Sequence, residues 1–531
     1  MSEFLFQYQK VNPTTWVYLS SLLMIGLYFK FGRFWSVRNL DLVLLILLAP
    51  GLLMAQFGGE QKRFAWMESQ RVKSDAVEPS DGPAAKVSPE FQPASSRPRP
   101  EADLRPAKTE SAGASPAVRP TPPTGGDASD PSEPASAQPS SSSPVKDRLE
   151  RSLAIERLGY LWLFAVGALW LVRLLLDATM VRRPLLEPNL SAGGLTFIGC
   201  SLLVFLMANV IISPPTKPEP AGTPVVEPTV SGVTPTDPSR RAPRGPGYAL
   251  LNLIPSIPTM PLVPEAVPPA PRSFSYAIIA KAITILCHLA IVVGITAIGY
   301  WHFGNIKTGV GMATLYVMLP YTAQMTGCTD HVIPAALLIW AVLCYRRPLT
   351  AGLLIGLATS LVYYPMFLLP LWVSFYWRRG LLRFSGGVVA MSVVMAISLA
   401  FIPEASYWEV LKQMYGLWLP VRKDLEGIWG LGWDPVYRYP VLAAFVALSG
   451  TFAVWPAQKN LGTLLSCSAA VMVATQFWHG YGGGLYMAWY LPLTLLTMFR
   501  PNLEDRVALA VLGVGWGVRR AANVPNGFKA A

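Results

Sequence analysis

Charged residues are scarce in this chain, and the motifs of soluble enzymes are missing. Only 14% of its 531 residues are charged and 52% are hydrophobic, whereas soluble domains carry about 25% charge. The sequence contains no phosphate-binding G-x-x-x-x-G-K-[ST], no dinucleotide fingerprint, no H-E-x-x-H and no convincing G-x-S-x-G. These absences leave ATPase, dehydrogenase, zinc-protease and serine-hydrolase functions without support. With a mean hydropathy of +0.38, the chain is expected to be an integral membrane protein.

Cysteine is also scarce, and its spacing does not indicate a metal centre. The five cysteines show no C-x-x-C spacing, so we predict neither a disulfide framework nor a metal site. No cofactor is identified, and a divalent metal is compatible with the sequence but not indicated by it. The net charge of +12 lies mostly at the ends of apolar runs, as membrane topology demands, and does not indicate nucleic acid.

Long apolar runs are what the chain has in abundance. A helix needs roughly 20 apolar residues to cross a hydrocarbon core of about 30 Å, and only a helical bundle satisfies so many buried backbones. We therefore predict an all-α, polytopic transmembrane helical bundle of about 12–13 spans. The runs cover approximately residues 14–29, 40–56, 158–176, 194–212, 274–300, 308–321, 331–345, 350–377, 384–403, 440–456, 461–478 and 484–499.

Two segments rich in Pro, Ser, Ala and Gly interrupt these runs. They are almost free of aromatic residues, and such segments cannot bury enough apolar surface to fold, so we predict two long disordered loops. The C-terminal tail is predicted to lie along the inner membrane surface as an amphipathic helix, with a short final span as the alternative. The predicted organisation is a transmembrane hairpin (1–74), a disordered loop (75–147), a second transmembrane pair (148–212), a disordered linker (213–272), a C-terminal bundle (273–500) and a cytoplasmic tail (501–531).

Basic residues in the short loops indicate the orientation of the spans. All of them lie on the cytoplasmic side if residues 350–377 leave and return on that side as two short helices that meet near Tyr364 and Pro365. One tilted span, about 42 Å long at 1.5 Å per residue, is the alternative. We favour the hairpin, which places residues 322–330, 404–439 and 479–483 together on the non-cytoplasmic face.

The first candidate site on that face stands at the mouth of an apolar run. Asp330 and His331 follow a polar turn, and an ionisable residue at the edge of the hydrocarbon is costly unless it faces protein or water. A functional role is one interpretation. The other is that an acid in the first turn of a helix caps it and complements its dipole, and the two interpretations are compatible.

The second candidate site is the loop 404–439, which is rich in aromatic and charged residues. Its composition suits a sugar joined to a lipid phosphate, because aromatic rings stack on sugars, Arg or Lys binds phosphate, and a carboxylate activates a hydroxyl. An ordinary interfacial belt of aromatic residues is the alternative. The candidate residues in this loop are Arg422, Lys423, Trp429, Trp433 and Asp434.

Other polar residues give weaker signals. His479 precedes three glycines, which allow either close approach of a ligand to the backbone or simply a turn. Arg173 and Asp177 lie four residues apart and are predicted to neutralise each other on one helical face. His288 stands alone in an apolar run and is expected to be a hydrogen-bonded interior histidine.

The order of several short motifs along the chain is a more specific signal of function than composition is. It runs through a span, a basic pair, A-G-L-L-x-G-L-A, a tyrosine-proline step, a second apolar run and another basic pair. Its residues are Pro320, His331, Tyr345, Arg346, Arg347, Ala351, Gly352, Gly356, Leu357, Ala358, Tyr364, Pro365, Pro370, Arg378 and Arg379. In this order the region from about 275 to 500 resembles the C-type glycosyltransferase superfamily, closest to the bacterial polyprenol-phosphate-mannose-dependent mannosyltransferases.

The resemblance implies an active site on the non-cytoplasmic face of a multi-pass protein of the cytoplasmic membrane. Such an enzyme would transfer a mannose-like hexose from a polyprenyl phosphate, so the expected partners are membrane lipid and this donor, with no nucleic acid. The family tends to have a lysine before the tyrosine-proline step, where this chain has Leu361, Val362 and Tyr363. The predicted roles are a catalytic base at Asp330 or Asp434 with His331, phosphate binding by Arg422 and Lys423, and a sugar path along Trp429, Trp433, Tyr364 and His479.

A non-catalytic polytopic protein is the alternative from another class. It would be a lipid or solute transporter, or a scaffold, including an inactive relative of the transferases. A transporter is expected to show broken helices and intramembrane charges in repeated halves. The sequence has one broken helix, no repeat and few intramembrane charges, so we favour the transferase.

Overall fold

The fold is known from a computed structural model, which is helical throughout the part of the chain it describes. The described residues are 12–75, 144–177, 179–180, 187–212, 271–401, 407–416, 425, 427–457, 459–480 and 482–501. They contain helices and turns but no β-strand, which confirms the predicted all-α bundle. The two predicted disordered loops and the predicted tail lie outside the described residues, apart from helical residues at the edges of the loops.

Fifteen α-helices are present in the described residues. Their bounds are α1 Pro13–Tyr28, α2 Val37–Asp75, α3 Pro144–Asp177, α4 Ala192–Ile212, α5 Pro271–Trp301, α6 Ile306–Met318, α7 Pro320–Gln324, α8 Thr329–Leu343, α9 Pro348–Leu361, α10 Leu369–Tyr376, α11 Leu381–Ser398, α12 Tyr407–Met414, α13 Arg438–Val454, α14 Leu461–Trp478 and α15 Leu491–Phe499. Most predicted apolar runs agree with a helix to within a few residues. Four runs differ: 40–56 and 158–176 lie within the longer helices α2 and α3, 350–377 is divided, and the first half of 484–499 is irregular.

Six described helices are long and apolar enough to cross a membrane, which makes the chain a multi-pass membrane protein. They lie in α2, α3, α4, α5, α11 and α14. Burial separates them, since 94% of the apolar window of α14 is buried but only 17% of that of α4. A helix that is apolar on all sides needs either protein or lipid around it. The rest of the protein surrounds α14, whereas the described residues leave most of α4 uncovered, as expected of a helix that faces lipid.

The chain forms two compact units, residues 1–63 with 149–531 and residues 64–148. In the smaller unit, the exposed side chains of Glu68 and Arg148 form an ion pair, with 3.2 Å between Oε2 and Nη1. Such exposed pairs contribute at most about 1 kcal/mol. The larger unit contains the polar clusters described below.

The A-G-L-L-x-G-L-A motif places two helices in close contact. Gly352 and Gly356 face α11, where a methyl group on Gly352 would overlap the carbonyl oxygen of Phe384 and one on Gly356 would lie 2.8 Å from that of Val388. Small residues four apart allow membrane helices to approach closely. Helix packing therefore accounts for the glycines of the motif that carries the family resemblance.

Residues 350–377 form the hairpin that the basic pairs predict, and not one long span. Helix α9 ends at Leu361, a 3₁₀ turn follows at Tyr364–Leu368, and α10 runs back. At the open end, the Tyr376 hydroxyl donates a hydrogen bond of 2.6 Å to the carbonyl oxygen of Tyr345. Since the chain enters and leaves at the same place, both basic pairs lie at the same end of the bundle.

Contacts along α14 define two ends of the larger unit. The basic end is at the start of α14, where Gly462 packs against the Arg500 guanidinium and Ala453 accepts hydrogen bonds from Ser374 and Lys459. The aromatic end is at its other terminus, where the segments 325–331, 427–438 and 478–489 meet. Their meeting confirms the predicted clustering of the loops on one face, as far as those loops are described.

A buried ionic network of Asp41, Arg173, Asp177 and Arg500 joins three helices at the basic end. Arg173 makes two hydrogen bonds to Asp41, of 2.6 and 2.8 Å, and a third of 2.9 Å to Asp177. Arg500 donates to the other oxygen of Asp177 at 2.8 Å. The predicted pairing of Arg173 with Asp177 is confirmed, and the two arginines and two aspartates balance in charge.

Candidate functional site

The first component of the site is the start of α8. Asp330 and His331 lie in its first turn, where they are 9% and 7% exposed. Asp330 is not the capping residue, because Cys328 occupies the N-cap position. An acid in the first turn still complements the helix dipole. The carboxylate Oδ2 of Asp330 lies 3.9 Å from Nε2 of His331, so the two side chains form one polar unit.

Tyr321 fixes the orientation of the His331 ring. Its hydroxyl lies 2.5 Å from His331 Nδ1. The phenol O–H donates to Nδ1 when that ring nitrogen carries no proton. A neutral imidazole then carries its own proton on Nε2. This arrangement directs an N–H group towards the Asp330 carboxylate.

A turn after α14 brings a second histidine to the same place. Gly482 and Gly484 adopt positive φ angles of 69° and 97°, which only glycine takes readily. The buried Gln476 side chain holds this turn, because its oxygen accepts hydrogen bonds from the backbone N–H groups of Gly484 and Tyr486 at 3.1 and 3.3 Å. This irregular turn delays the start of α15 until Leu491.

The ring of Tyr486 lies between the two histidines. Its centroid is 4.3 Å from that of His331 and 4.4 Å from that of His479. Trp489 packs on the same tyrosine at 4.6 Å and donates its indole N–H to the carbonyl oxygen of Asp330 at 3.2 Å. Residues from α8 and from the turn after α14 are therefore in direct contact.

The hairpin contributes Tyr364 at its tip. The Tyr364 ring lies 4.7 Å from that of His479 and 5.3 Å from that of Trp489. The tyrosine-proline step thus turns the chain and also places an aromatic ring beside His479. Tyr364 is only 4% exposed.

Arg438 adds a cation that sequence reasoning left without a role. It is 6% exposed, its Nε donates to the carbonyl oxygen of Trp478 at 2.8 Å, and its guanidinium lies 5.7 Å from the centroid of the Trp478 ring. Trp478 in turn packs on Tyr364 at 5.2 Å. A signal was available, since an arginine at the start of an apolar helix on the predicted non-cytoplasmic face opposes the positive-inside trend.

We call this assembly the aromatic cluster. It consists of Asp330, His331, Tyr364, Arg438, Trp478, His479, Tyr486 and Trp489. Of the predicted site residues, it joins Asp330, His331, Tyr364 and His479, which are far apart in sequence. Among the described residues, no three His, Cys, Asp or Glu side chains lie close enough together to hold a metal ion.

The other predicted site residues lie outside the aromatic cluster or outside the described residues. Asp434 is exposed, and its Oδ1 accepts a hydrogen bond of 2.9 Å from the backbone N–H of Val436. Trp433 lies under the Arg157 guanidinium at 5.3 Å. Trp429 is buried and donates to the carbonyl oxygen of Phe477 at 3.1 Å, so it anchors the loop to the end of α14. Arg422 and Lys423 lie outside the described residues.

An isolated histidine has the structural role expected of it. The two ring nitrogens of His288 are 3.0 Å from the Tyr316 hydroxyl and 3.1 Å from the carbonyl oxygen of Thr326. His288 is thus a hydrogen-bonded interior residue, as predicted.

Fold and site together define a class, that of multi-pass α-helical membrane proteins with a buried polar and aromatic cluster at one end. Comparison with protein-family models, with curated proteins and with solved structures finds no match for this chain.

Proposed function

We propose that this protein is a glycosyltransferase of the cytoplasmic membrane that moves a mannose-like hexose from a polyprenyl phosphate to an acceptor hydroxyl. The observation that supports this best is the juxtaposition of Asp330 and His331 with His479 and Tyr364. An acid-base pair, aromatic faces and a cation then lie at one end of a membrane bundle, and each has a task in sugar transfer from a lipid phosphate.

Asp330 is the proposed general base. Its carboxylate takes the proton of the acceptor hydroxyl while the hydroxyl oxygen bonds to the anomeric carbon of the sugar. The bond between that carbon and the phosphate oxygen breaks, and polyprenyl phosphate leaves with the electron pair. His331 Nε2–H lies towards the same carboxylate and stabilises its ionised form before the proton is transferred.

Arg438 is the proposed partner of the donor phosphate. Arginine matches phosphate with two parallel N–H donors, and a buried guanidinium is effective because little water competes with it. Tyr364, Tyr486 and Trp489 provide the faces on which a sugar ring would stack. Arg438 thus joins Arg422 and Lys423, which lie outside the described residues, as a proposed phosphate-binding residue.

A transfer assay tests this proposal. Purified full-length protein in liposomes would be given radiolabelled polyprenyl-phosphate mannose or glucose, and both transferred and free sugar would be extracted and counted. We expect transfer with one donor, and loss of transfer in Asp330→Asn at unchanged protein levels. Glu150→Gln, at an exposed position on α3, is the matched acid-to-amide control and should retain full activity.

The outcomes separate this proposal from the non-catalytic alternative. A well-folded wild-type sample that neither transfers nor releases sugar from either donor would favour a transporter or scaffold. Loss of transfer in Asp434→Asn with retention in Asp330→Asn would keep the enzyme class and move the base to the exposed loop.

A further inference from the structure

At the basic end, four arginines from two turns and a fifth from the start of α11 surround one open groove. Four hydrophobic residues, a proline and a glycine share its walls, and its volume is about 890 Å³, within the range of about 300–1,000 Å³ usual for small-molecule sites. The arginines are Arg346, Arg347, Arg378, Arg379 and Arg383.

The fold holds the two turns together. The hydrogen bond from the Tyr376 hydroxyl to the Tyr345 carbonyl oxygen joins them, and Gly380 packs against the Pro348 ring. Gly380 has a φ angle of 96°, so it is a residue at which any side chain would strain the turn. The arginines therefore converge through a built contact and not through sequence proximity alone.

The charge of this groove is of one sign. The sequence has no Asp or Glu between Asp330 and Glu404, and the two turns contain arginine but no lysine. Membrane topology is satisfied by either basic residue. Arginine differs from lysine in its planar fork, which binds phosphate oxygens in pairs.

Exposed apolar side chains beside the arginines indicate where the ligand comes from. Leu382 is 87% exposed, Trp377 68% and Leu349 51%. The spanning helix α11 begins at Leu381, so the groove lies where that helix enters the bilayer. A soluble anion has no use for these apolar groups, whereas a lipid brings acyl chains with its phosphate.

We propose that this groove binds the phosphate of an anionic phospholipid at the membrane surface. The guanidinium groups hold the headgroup, and Trp377 and Leu382 lie against the upper part of the acyl chains. The site is at the opposite end of the bundle from the aromatic cluster, and it does not depend on the glycosyltransferase proposal.

Native mass spectrometry of the full-length protein in detergent tests the site. The protein would be titrated with dioleoyl-phosphatidylglycerol and, separately, with dioleoyl-phosphatidylcholine. The double variant Arg346→Gln/Arg378→Gln removes one arginine from each turn. The matched control Lys30→Gln/Arg33→Gln removes two basic charges from another loop near the start of α2.

We expect the arginine double variant to bind phosphatidylglycerol about 25-fold more weakly, because each of the two basic residues removed contributes about fivefold near a membrane surface. The control should change by less than about twofold, and phosphatidylcholine should bind weakly to all proteins. Equal weakening in both double variants would overturn the proposal in favour of diffuse surface attraction.

Two further arms keep the test decisive. If the glutamine variant does not fold, Arg346→Lys/Arg378→Lys retains the charge and the topology, and unchanged binding in that variant would overturn the arginine site. Soluble glycerol phosphate and inorganic phosphate distinguish the source of the anion. Binding of either with the affinity of the lipid would overturn the lipid assignment.

Discussion

The ionic network at the basic end and the aromatic cluster at the aromatic end are both buried polar assemblies, but they are built differently. In the network, two arginines and two aspartates meet at 2.6–2.9 Å. In the cluster, an aspartate, two histidines and an arginine alternate with aromatic rings whose centroids lie 4.3–5.7 Å from the nearest polar ring or guanidinium. Matched charges join helices in the network, whereas in the cluster polar groups are packed between aromatic faces.

The largest expected effect comes from Asp330→Asn in the aromatic cluster. Loss of a general base lowers the transfer rate by about 10²–10⁴-fold, while the buried amide remains nearly isosteric. Initial rates with the preferred polyprenyl-phosphate sugar, together with thermal unfolding in detergent, measure both quantities. A loss of stability in place of a loss of rate would show that the cluster resembles the ionic network in being structural.

Asp177→Asn tests the ionic network. The change leaves Asp41 as the only carboxylate of the network for the two buried guanidinium groups, and breaking a buried pair costs about 3–5 kcal/mol. The free energy of unfolding in detergent is the measurement. Glu150→Gln should shift it by no more than about 0.5 kcal/mol. A loss below about 1 kcal/mol for Asp177→Asn would mean that the network does not hold these helices together.

Gly352→Ala tests the packing of α9 on α11, which lies outside both the ionic network and the aromatic cluster. A methyl group there would overlap the carbonyl oxygen of Phe384, and overpacking costs about 1–3 kcal/mol. The matched control is Gly386→Ala, since a methyl group at that position meets nothing within 4 Å. The control should be neutral or gain up to about 1 kcal/mol from helix propensity.

The transfer rate per folded molecule should not change in Gly352→Ala, because α9 and α11 pack together away from Asp330. A lower rate at unchanged folded fraction would show that a shift of the hairpin also displaces Tyr364 in the aromatic cluster.

Tyr321→Phe is expected to give the smallest effect. It removes the hydroxyl that donates to His331 Nδ1, and one hydrogen bond contributes about 0.5–1.5 kcal/mol. Transfer should fall only severalfold, since Asp330 remains. Without the phenol, either ring nitrogen of neutral His331 can carry the proton. Transfer rates should therefore be measured across pH. An effect as large as that of Asp330→Asn would assign the base to the Tyr321–His331 pair.

Much of the helical framework could be predicted from hydropathy and charge placement. The run predicted at 461–478 is α14, because a long apolar segment has few ways to satisfy its backbone in lipid. The hairpin at 350–377 could be predicted because two basic pairs need the same side of the membrane. Both inferences rest on properties that act locally along the chain.

Only four of the eight residues of the aromatic cluster could be predicted from the sequence. Asp330 and His331 stood out as ionisable residues at the edge of an apolar run, and Tyr364 and His479 followed from a family pattern and a glycine turn. Arg438 received no role, and Asp41 and Arg500 could not be paired with Arg173 and Asp177. Such partners are separated by hundreds of positions, and a single sequence contains no information on which residues of distant helices meet.

Hydropathy and charge placement alone predict a helical membrane protein, the positions of most of its helices, and basic pairs that share one end. Hydrophobicity and charge act residue by residue against the bilayer, so they can be read without knowing the fold. The tertiary structure was needed to show that His331 meets His479 through Tyr486, that Arg438 joins them, and that Asp434 stays outside. Those contacts depend on how helices pack, which is set by small residues and side-chain shape across the whole bundle.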